Sequence, residues 1–293
     1  MWIMQAFLSA FFAGITAILA KVGIRHTDSH LATALRTIVV TLFAWLIVAI
    51  TGGFSELPAV KGETLLFLVL SGLTTGASWL CYFKAIALGD VIRVAPIDKS
   101  STILTMLLAF LLLGEPLSWL KVVCMVLIGV GTYGMVRAER DPHTENAGQD
   151  ASPKRNAWFV YAALSAVFAA LTTILGKIGV QAISSNLGTA IRCLVVLALA
   201  WAIVFAQGTH RTIRQLDRRS ILFLVLSGLA TGLSWLCYYG ALKNGNASVV
   251  APIDKLSILV TVLFSRLYLR EKLSARMLAG LTALTAGTLL LLV

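Results

Sequence analysis

Two acid–base pairs lie inside long apolar runs, where charged side chains are costly and often functional. Asp98 and Lys99 form one pair, and Asp254 and Lys255 form the other, both within the sequence Ala-Pro-Ile-Asp-Lys. The carboxylates are suited to hold a proton or bind a substrate amine, and the ammonium groups to bind a substrate carboxylate. Because adjacent residues project about 100° apart on a helix, one pair cannot share a single partner.

A structural interpretation of these pairs also stays open. Pro96 and Pro252 would be the first residues of their helices, where proline is tolerated. Asp98 and Asp254 would lie in the first turn, where a carboxylate complements the helix dipole by about 0.3–1 kcal/mol. The adjacent lysines would extend their ammonium groups toward the headgroups of a bilayer.

Polar and aromatic residues recur at helical spacing on the third and fourth apolar runs of each half of the chain. Lipid cannot satisfy such groups, so they predict either hydrogen bonds between helices, of about 0.6–2 kcal/mol each, or a substrate cavity. We expect the cavity, although the aromatic residues are also compatible with an interfacial belt. The candidate substrate-binding residues are Ser78, Trp79, Tyr82, Asp98, Lys99 and Ser101, with Ser234, Trp235, Tyr238, Asp254, Lys255 and Ser257 at the equivalent positions.

The remaining charges of the apolar segments have simpler explanations. Arg36, Arg192, Lys21 and Lys177 are expected to snorkel to the headgroups. Glu115 and Glu271 follow the fourth run of each half, where helix capping and turn formation explain them better than substrate contact. The sequence contains no Walker motif, nucleophile elbow or zinc signature. We therefore expect neither an enzyme nor a cofactor or metal.

The composition predicts the environment of these residues. Of 293 residues, 58% are hydrophobic and only 13% are charged, too few to cover a soluble surface of this size. The net charge is +11, and the Lys and Arg residues lie mostly between the apolar runs. Basic residues in this position orient a membrane protein, and we do not expect them to form a nucleic-acid surface. Apolar runs of about 20 residues match the thickness of a bilayer core.

An internal duplication organises the chain. Residues 67–101 and 223–257 are identical at 23 of 35 positions, and the same offset of 156 relates the two halves throughout. We predict a first five-helix repeat at 1–136, a polar linker at 137–157 and a second five-helix repeat at 158–293. The predicted spans are 2–22, 31–51, 65–88, 93–113 and 118–136, then 158–178, 187–207, 221–243, 249–269 and 274–293.

Five is an odd number, so the second repeat must enter the bilayer from the face where the first one leaves. The predicted fold is therefore all-α, with ten transmembrane helices in two inverted repeats, as is typical of secondary transporters. The basic residues concentrate in the linker and in the loops on its side, which predicts a cytoplasmic linker and both termini outside. The small residues of the fifth and tenth spans indicate close helix packing, as peripheral buttresses or as a homodimer contact. They are Gly129, Gly131 and Gly134, with Ala279, Gly280, Ala283 and Gly287.

The fourth spans open and end in a recognisable way. Pro96 and Pro252 open them, and Gly114-Glu115 and Arg270-Glu271 end them. Together with the two five-span units, these residues resemble the EamA-type branch of the drug/metabolite transporter superfamily, and Ala-Pro-Ile-Asp-Lys looks like its single-copy members. The resemblance implies ten helices in the bacterial inner membrane, a central cavity lined by helices 1–4 and 6–9, and alternating access without ATP.

The leading hypothesis is a secondary transporter that exports small metabolites such as amino acids. Trp79, Trp235, Tyr82 and Tyr238 would then shape the substrate, and the acid–base pairs would handle its charge or a coupled proton. Efflux of cationic aromatic drugs is one alternative, since aromatic rings and carboxylates also suit such compounds. A membrane scaffold or lipid-binding protein that transports nothing is the alternative from a different class.

Overall fold

The structure is a computed structural model that describes residues 1–23, 28–88, 94, 97, 100–138, 157–268 and 274–293. All regular elements of these residues are helical. The α-helices are α1 (Trp2–Gly23), α2 (Ser29–Ile50), α3 (Gly62–Leu88), α4 (Ser101–Leu113), α5 (Trp119–Ala138), α6 (Ala157–Val180), α7 (Ser185–Gln207), α8 (Arg218–Asn244), α9 (Ala247–Lys255), α10 (Ser257–Tyr268) and α11 (Ala275–Leu289). Short 3₁₀ helices follow α2, α7 and α11, at Gly53–Ala59, Thr209–Gln215 and Leu290–Leu292.

Eight helical segments of the described residues are long and apolar enough to cross a membrane, and α4 and most of α5 form shorter apolar helices. The prediction of an all-α, multi-pass membrane protein is therefore confirmed. Large apolar side chains cover the outside of the bundle; Leu42 and Leu111, for example, are 67% and 68% exposed. A surface of this kind is suited to contact with lipid.

Local signals explain where several helices begin and end. The Asp28 carboxylate accepts hydrogen bonds from the amides of His30 and Leu31 and caps the start of α2. Ser184 caps α7 in the same way. Gly114 ends α4 at a φ of 65°, a left-handed conformation that favours glycine.

The helices of the two halves interleave. Helix α1 packs along α8, and α3 packs along α6, so the first helix of each half contacts the third helix of the other half. We call the α1–α8 contact the first seam and the α3–α6 contact the second seam. Helix α2 packs on α7, α1 also contacts α10, and α4 also contacts α6. The core is therefore built between the halves.

The small residues of α5 and α11 contact one another within the chain. A Cβ atom on Gly131 would lie 2.5 Å from the Leu284 nitrogen and 2.6 Å from the Gly280 oxygen. Small residues such as Gly131 and Gly280 allow two helix backbones to approach this closely. These glycines thus join the last helices of the two halves. A homodimer through the same helices stays a prediction, and it would have to use the faces of α5 and α11 that do not contact each other.

The fourth helix of the second half does not begin at Pro252, as the structural interpretation of the acid–base pairs expects. Pro252 lies inside α9, with four helical residues on its N-terminal side after Ala247, and it does not begin the helix. Asp254 therefore stands at the C-terminal end of α9, one turn before α10, where a carboxylate gains nothing from the helix dipole. The helix-dipole explanation is wrong for Asp254. Pro96, Asp98 and Lys99 lie outside the described residues.

Candidate functional site

Matched serine pairs lie at equivalent positions of the two seams. At the first seam, the Ser9 and Ser234 hydroxyl oxygens are 3.3 Å apart, and Ser234 donates to the Ser9 carbonyl at 3.1 Å. At the second seam, Ser78 and Ser165 are also 3.3 Å apart, and each hydroxyl donates to the other residue's carbonyl at 3.1 Å. All four side chains are buried. The predicted stripe residues Ser78 and Ser234 therefore join helices of different halves.

Threonine contacts continue each seam by one or two helical turns. In the second seam the Thr75 hydroxyl lies 3.4 Å from that of Thr172, and Ser71 donates to the Thr172 carbonyl at 2.7 Å. In the first seam the Thr231 hydroxyl lies 3.3 Å from that of Thr16. The hydroxyls of the stripes thus do bond helix to helix, as the simpler interpretation expects.

Asp254 belongs to the first seam. Its half-buried carboxylate accepts a hydrogen bond from Ser9 at 2.6 Å, and Ser9 also contacts Ser234. The site residues Ser234 and Asp254 are therefore brought together through Ser9. Proline inside α9 and the turn at Leu256 interrupt the helix here, and interrupted helices inside a membrane commonly border a ligand site.

Arg192 occupies the second seam, and sequence reasoning missed it. Its side chain is only 3% exposed, its Nε donates to Ser71 at 3.0 Å, and its Nη2 donates to Thr75 at 2.7 Å. The prediction that Arg192 snorkels is wrong, because hydroxyls of α3 hold the guanidinium inside the bundle. The sequence did carry one indication of its importance: an arginine occurs at the same position of the second span in both repeats, as Arg36 and Arg192.

Aromatic rings enclose the Arg192 guanidinium. Its central carbon lies 4.9 Å from the ring centre of Trp235 and 4.7 Å from that of Tyr239. The Tyr239 hydroxyl is hydrogen-bonded to Ser71, and its ring fits because Gly176 has no Cβ; an added Cβ would lie 2.5 Å from the ring. We call Arg192, Ser71, Thr75, Trp235 and Tyr239 the arginine cluster.

Tyr238 extends this region toward α6. Its hydroxyl lies 3.1 Å from that of Thr173, and its ring packs edge-on against Tyr239 at 5.4 Å between centres. Arg192 and Asp254 both lie close enough to Tyr238 to interact with its hydroxyl electrostatically. The predicted residues Trp235, Tyr238 and Asp254 thus gather around Arg192.

The other predicted residues lie elsewhere. Trp79 packs in an apolar cluster with Leu31 and Ala200, and Tyr82 packs in a separate cluster with Ala85. Each belongs to α3, and neither packs in the apolar cluster that Trp235 contacts. Ser101 is buried at the start of α4, Ser257 begins α10, and Lys255 is the half-buried last residue of α9.

A buried ion pair closes one end of the second seam. Glu115 and Lys177 are 2.9 Å apart with side-chain exposures of 7% and 12%, and Lys177 also donates to the Gly245 carbonyl. Glu115 further accepts from the amides of Ala247 and Ser248, at 2.6 and 3.0 Å, the first residues of α9. The snorkelling prediction is wrong for Lys177. The capping prediction is confirmed for Glu115, although the capped helix belongs to the other half.

These contacts determine the ionisation of Glu115. Burial alone would raise its pKa, but hydrogen bonds from Ser248 and Lys177, with the charge of Lys177, outweigh burial and lower the pKa below the usual range. The carboxylate therefore stays ionised at neutral pH. The Lys21 side chain and Glu271, their equivalents in the other half, lie outside what the structure describes.

Further hydrogen bonds tie the loops together at this end of the helices. Lys243 donates to the Ile183 carbonyl at 2.6 Å, and the Ser184 amide donates to Glu56 at 2.7 Å. Lys121 donates to the Ser248 hydroxyl at 3.0 Å. The loops 51–61, 114–118, 181–184 and 245–246 therefore form a connected polar layer. Across the described residues, no three His, Cys, Asp or Glu side chains are grouped as a metal site would need.

The class of protein follows from comparison with known sequences. The model of the EamA-like transporter family matches residues 1–137 and again residues 156–293. The chain therefore belongs to the EamA-like transporter family, a family of membrane transporters.

Individual relatives match one half of the chain. A protein of Sinorhizobium sp, described as an uncharacterized transporter in the cobO 3′ region, is 48% identical over 136 residues, which cover 46% of this chain and 96% of that protein. An uncharacterized protein of Methanocaldococcus jannaschii is 28% identical over 134 residues, 44% of this chain and 90% of its own length. These relatives thus have about the length of a single repeat.

The fold has a counterpart among solved structures. One crystal structure superposes with a TM-score of 0.79 over 98% of this chain and 95% of that chain, at 15% sequence identity. At this identity the likeness shows the fold alone.

Proposed function

We propose that the chain is a secondary transporter that exports small metabolites such as amino acids by alternating access through a central cavity. Its ten spans would form two inverted five-helix repeats, with the linker cytoplasmic and the termini outside a bacterial inner membrane. The observation that carries this proposal is the reciprocal seams, in which the first helix of each half pairs with the third helix of the other through matched serines.

Seams of this kind suit alternating access. Hydroxyl contacts within a membrane contribute about 0.6–2 kcal/mol each, so a seam of a few contacts can part at modest cost. A pair of seams related by the duplication offers two such openings, one for each face of the membrane. The polar layer that includes Glu115 and Lys177 would close the outer side while the other side opens.

The substrate would bind where the buried charges gather. Asp254 and Arg192 lie in different seams, and the aromatic side chains of Trp235 and Tyr238 lie near both. A small zwitterion carries a carboxylate that suits Arg192 and an ammonium that suits Asp254. The substrate charge or a coupled proton would be handled by the two acid–base pairs, Asp98 with Lys99 and Asp254 with Lys255.

Counterflow in proteoliposomes tests the function. Vesicles containing purified protein are loaded with a mixture of unlabelled L-amino acids, and entry of the labelled mixture is followed with and without a pH gradient. We expect saturable counterflow that needs no ATP, and acceleration by the gradient would indicate proton coupling. Protein-free vesicles are the control.

Two outcomes would contradict the proposal. If no amino acid moves but labelled cationic aromatic compounds do, drug efflux replaces it. If nothing moves and the protein instead retains a lipid through purification, the scaffold or lipid-binding alternative replaces it.

A further inference from the structure

The Arg192 guanidinium has a nitrogen that nothing in the described part of the chain satisfies. Nε and Nη2 donate to Ser71 and Thr75, whereas Nη1 is buried and has no hydrogen-bond partner. Buried polar groups are almost always paired, so each exception needs an explanation. An arginine stays charged inside a protein, and the guanidinium therefore cannot escape the cost by losing a proton.

No described carboxylate is hydrogen-bonded to the Arg192 guanidinium. Its described hydrogen-bond partners are two neutral hydroxyls, and the rings of Trp235 and Tyr239 contribute a cation–π attraction of about 0.5–2 kcal/mol. A charge at this depth costs about 2.5–3.5 kcal/mol or more. These contacts stabilise the guanidinium but none of them reaches Nη1, which favours an anion that arrives from outside the chain.

We propose that Arg192 binds the carboxylate of the transported substrate through Nη1, an assignment that rests on the proposed function. Guanidinium and carboxylate are planar and form charge-assisted hydrogen bonds. Since Arg192 is 3% exposed, the carboxylate reaches it only when the second seam parts and the rings of Trp235 and Tyr239 separate. Binding of the substrate would then stabilise the opened seam.

The position of Asp254 extends the assignment to the other end of the substrate. Asp254 is joined through Ser9 to Ser234, and the ring of the next residue, Trp235, lies 4.9 Å from the Arg192 guanidinium. A ligand with a carboxylate and an ammonium a few bonds apart is complementary to this arrangement. A purely cationic compound would meet the unneutralised charge of Arg192.

Arg36 is the matched comparison within the chain. It stands at the same position of the first repeat, but it is half-buried, and its side chain donates no hydrogen bond to another described residue. Arg192, by contrast, has a buried nitrogen without a hydrogen-bond partner in the described residues. The assignment therefore applies to Arg192 and not to Arg36.

Competition by substrate analogues tests the assignment without any mutation. In the counterflow assay on the wild-type protein, each transported L-amino acid is compared as an unlabelled competitor with its methyl ester, which keeps the ammonium but masks the carboxylate. Loss of a hydrogen bond to a charged group costs about 1.5–3 kcal/mol, so we expect the ester to need at least about tenfold higher concentrations for half-inhibition.

Substitutions identify the residue that recognises the carboxylate. We expect Arg192→Gln to raise KM for the amino acid at least about tenfold and to abolish the preference over the ester, because a neutral amide cannot replace the charge. Arg192→Lys should restore part of the preference. Arg36→Gln is the matched control and should change the ester preference less than about twofold, within the range expected of a residue outside the contact. Size-exclusion chromatography and thermal unfolding verify folding.

The outcomes separate this inference from the proposed function. If an amino acid moves but its methyl ester competes equally, or if Arg36→Gln abolishes the preference as Arg192→Gln does, the carboxylate assignment is overturned and the transporter proposal stands. If no amino acid moves at all, the proposed function is overturned and the assignment falls with it. If Arg192→Gln does not fold, Arg192→Lys takes its place, and a preference for the amino acid over its ester that Arg192→Lys leaves unchanged overturns the assignment.

Discussion

At the first seam, Ser9 and Ser234 meet beside the carboxylate of Asp254, whereas the second seam holds the guanidinium of Arg192 between Ser71 and Thr75. The serine pairs are equivalent in sequence and equal in spacing, at 3.3 Å in both seams. The charges are therefore what distinguishes the seams in the described residues. Duplication thus supplies the same helix contact twice, and hydroxyls at this contact also bond to charged side chains of neighbouring helices.

Two sequence differences explain why Arg192 and Arg36 have different surroundings. The second repeat has Gly176 and Tyr239 where the first has Ala20 and Phe83. Tyr239 bonds to Ser71 above the guanidinium, and its ring requires the missing Cβ of Gly176. The first repeat has neither this hydroxyl nor a glycine at these positions.

The largest stability effect is expected where the second seam is closed by the ion pair. Glu115→Ala leaves the Lys177 ammonium and two amides of α9 without their acceptor, which should lower the free energy of unfolding by about 3 kcal/mol. Chemical unfolding in detergent at neutral pH measures it. Glu63→Ala, which removes an exposed carboxylate in α3, is the control and should stay within about 0.5 kcal/mol. If Glu115→Ala and Glu63→Ala lower the free energy of unfolding equally, the ion pair does not stabilise the protein.

Acidification should remove the contribution of Glu115 without any mutation. Its pKa is lowered in the folded protein, so its stabilisation is complete above the pKa of unfolded glutamate, about 4.3, and is lost as the pH falls through the lower folded value. The stability difference between the wild type and Glu115→Gln should thus be constant from about pH 7 to 5 and shrink below about pH 4. Unfolding curves across this range measure it, and a difference that already shrinks near neutral pH would contradict the lowered pKa.

Filling the space at Gly176 should make the second seam resemble the first. In Gly176→Ala the new Cβ would lie 2.5 Å from the Tyr239 ring, and overpacking of this kind costs about 1–3 kcal/mol. The matched control is Gly134→Ala, where the nearest atom lies at 3.6 Å and the change should be neutral or slightly stabilising. Thermal unfolding of both variants compares them. If Gly176→Ala is as stable as its control, the ring does not occupy this space.

The smallest effect is expected from the Tyr239 hydroxyl. Tyr239→Phe introduces the residue that the first repeat has at Phe83 and removes the bond to Ser71, worth about 1 kcal/mol. Thr282→Ala is a control, since its exposed hydroxyl bonds to carbonyls of its own helix. A larger loss in the control than in Tyr239→Phe would show that the hydroxyl does not support the cluster.

The sequence predicted the helices well because their lengths follow from the bilayer. The predicted span at 2–22 corresponds to α1 (Trp2–Gly23), and that at 187–207 corresponds to α7 (Ser185–Gln207). Runs of apolar residues with polar breaks carry this information locally. The duplication likewise identified which residues have equivalents in the other half.

The partners of the polar residues were not predictable in the same way. Arg192 and Lys177 were expected to snorkel, which is the common behaviour of cations near the ends of spans. Their burial depends on Ser71, Thr75 and Glu115, which are distant in sequence and belong to the other half. A helical stripe shows which face is polar, but not which helix lies opposite.

Reversible cross-linking of the seams tests the central claim, that both seams hold the halves together and must part during transport. Starting from a variant without Cys81, Cys124, Cys193 and Cys237, cysteines replace Ser9 and Ser234 in one protein and Ser78 and Ser165 in another. Their hydroxyl oxygens are 3.3 Å apart in each seam, so both pairs should form disulfides. We predict that either disulfide stops amino-acid counterflow and that a reductant restores it, while each single-cysteine variant transports at the same rate with and without oxidation. Cross-linked protein that transports as fast as the same protein after reduction would contradict the account.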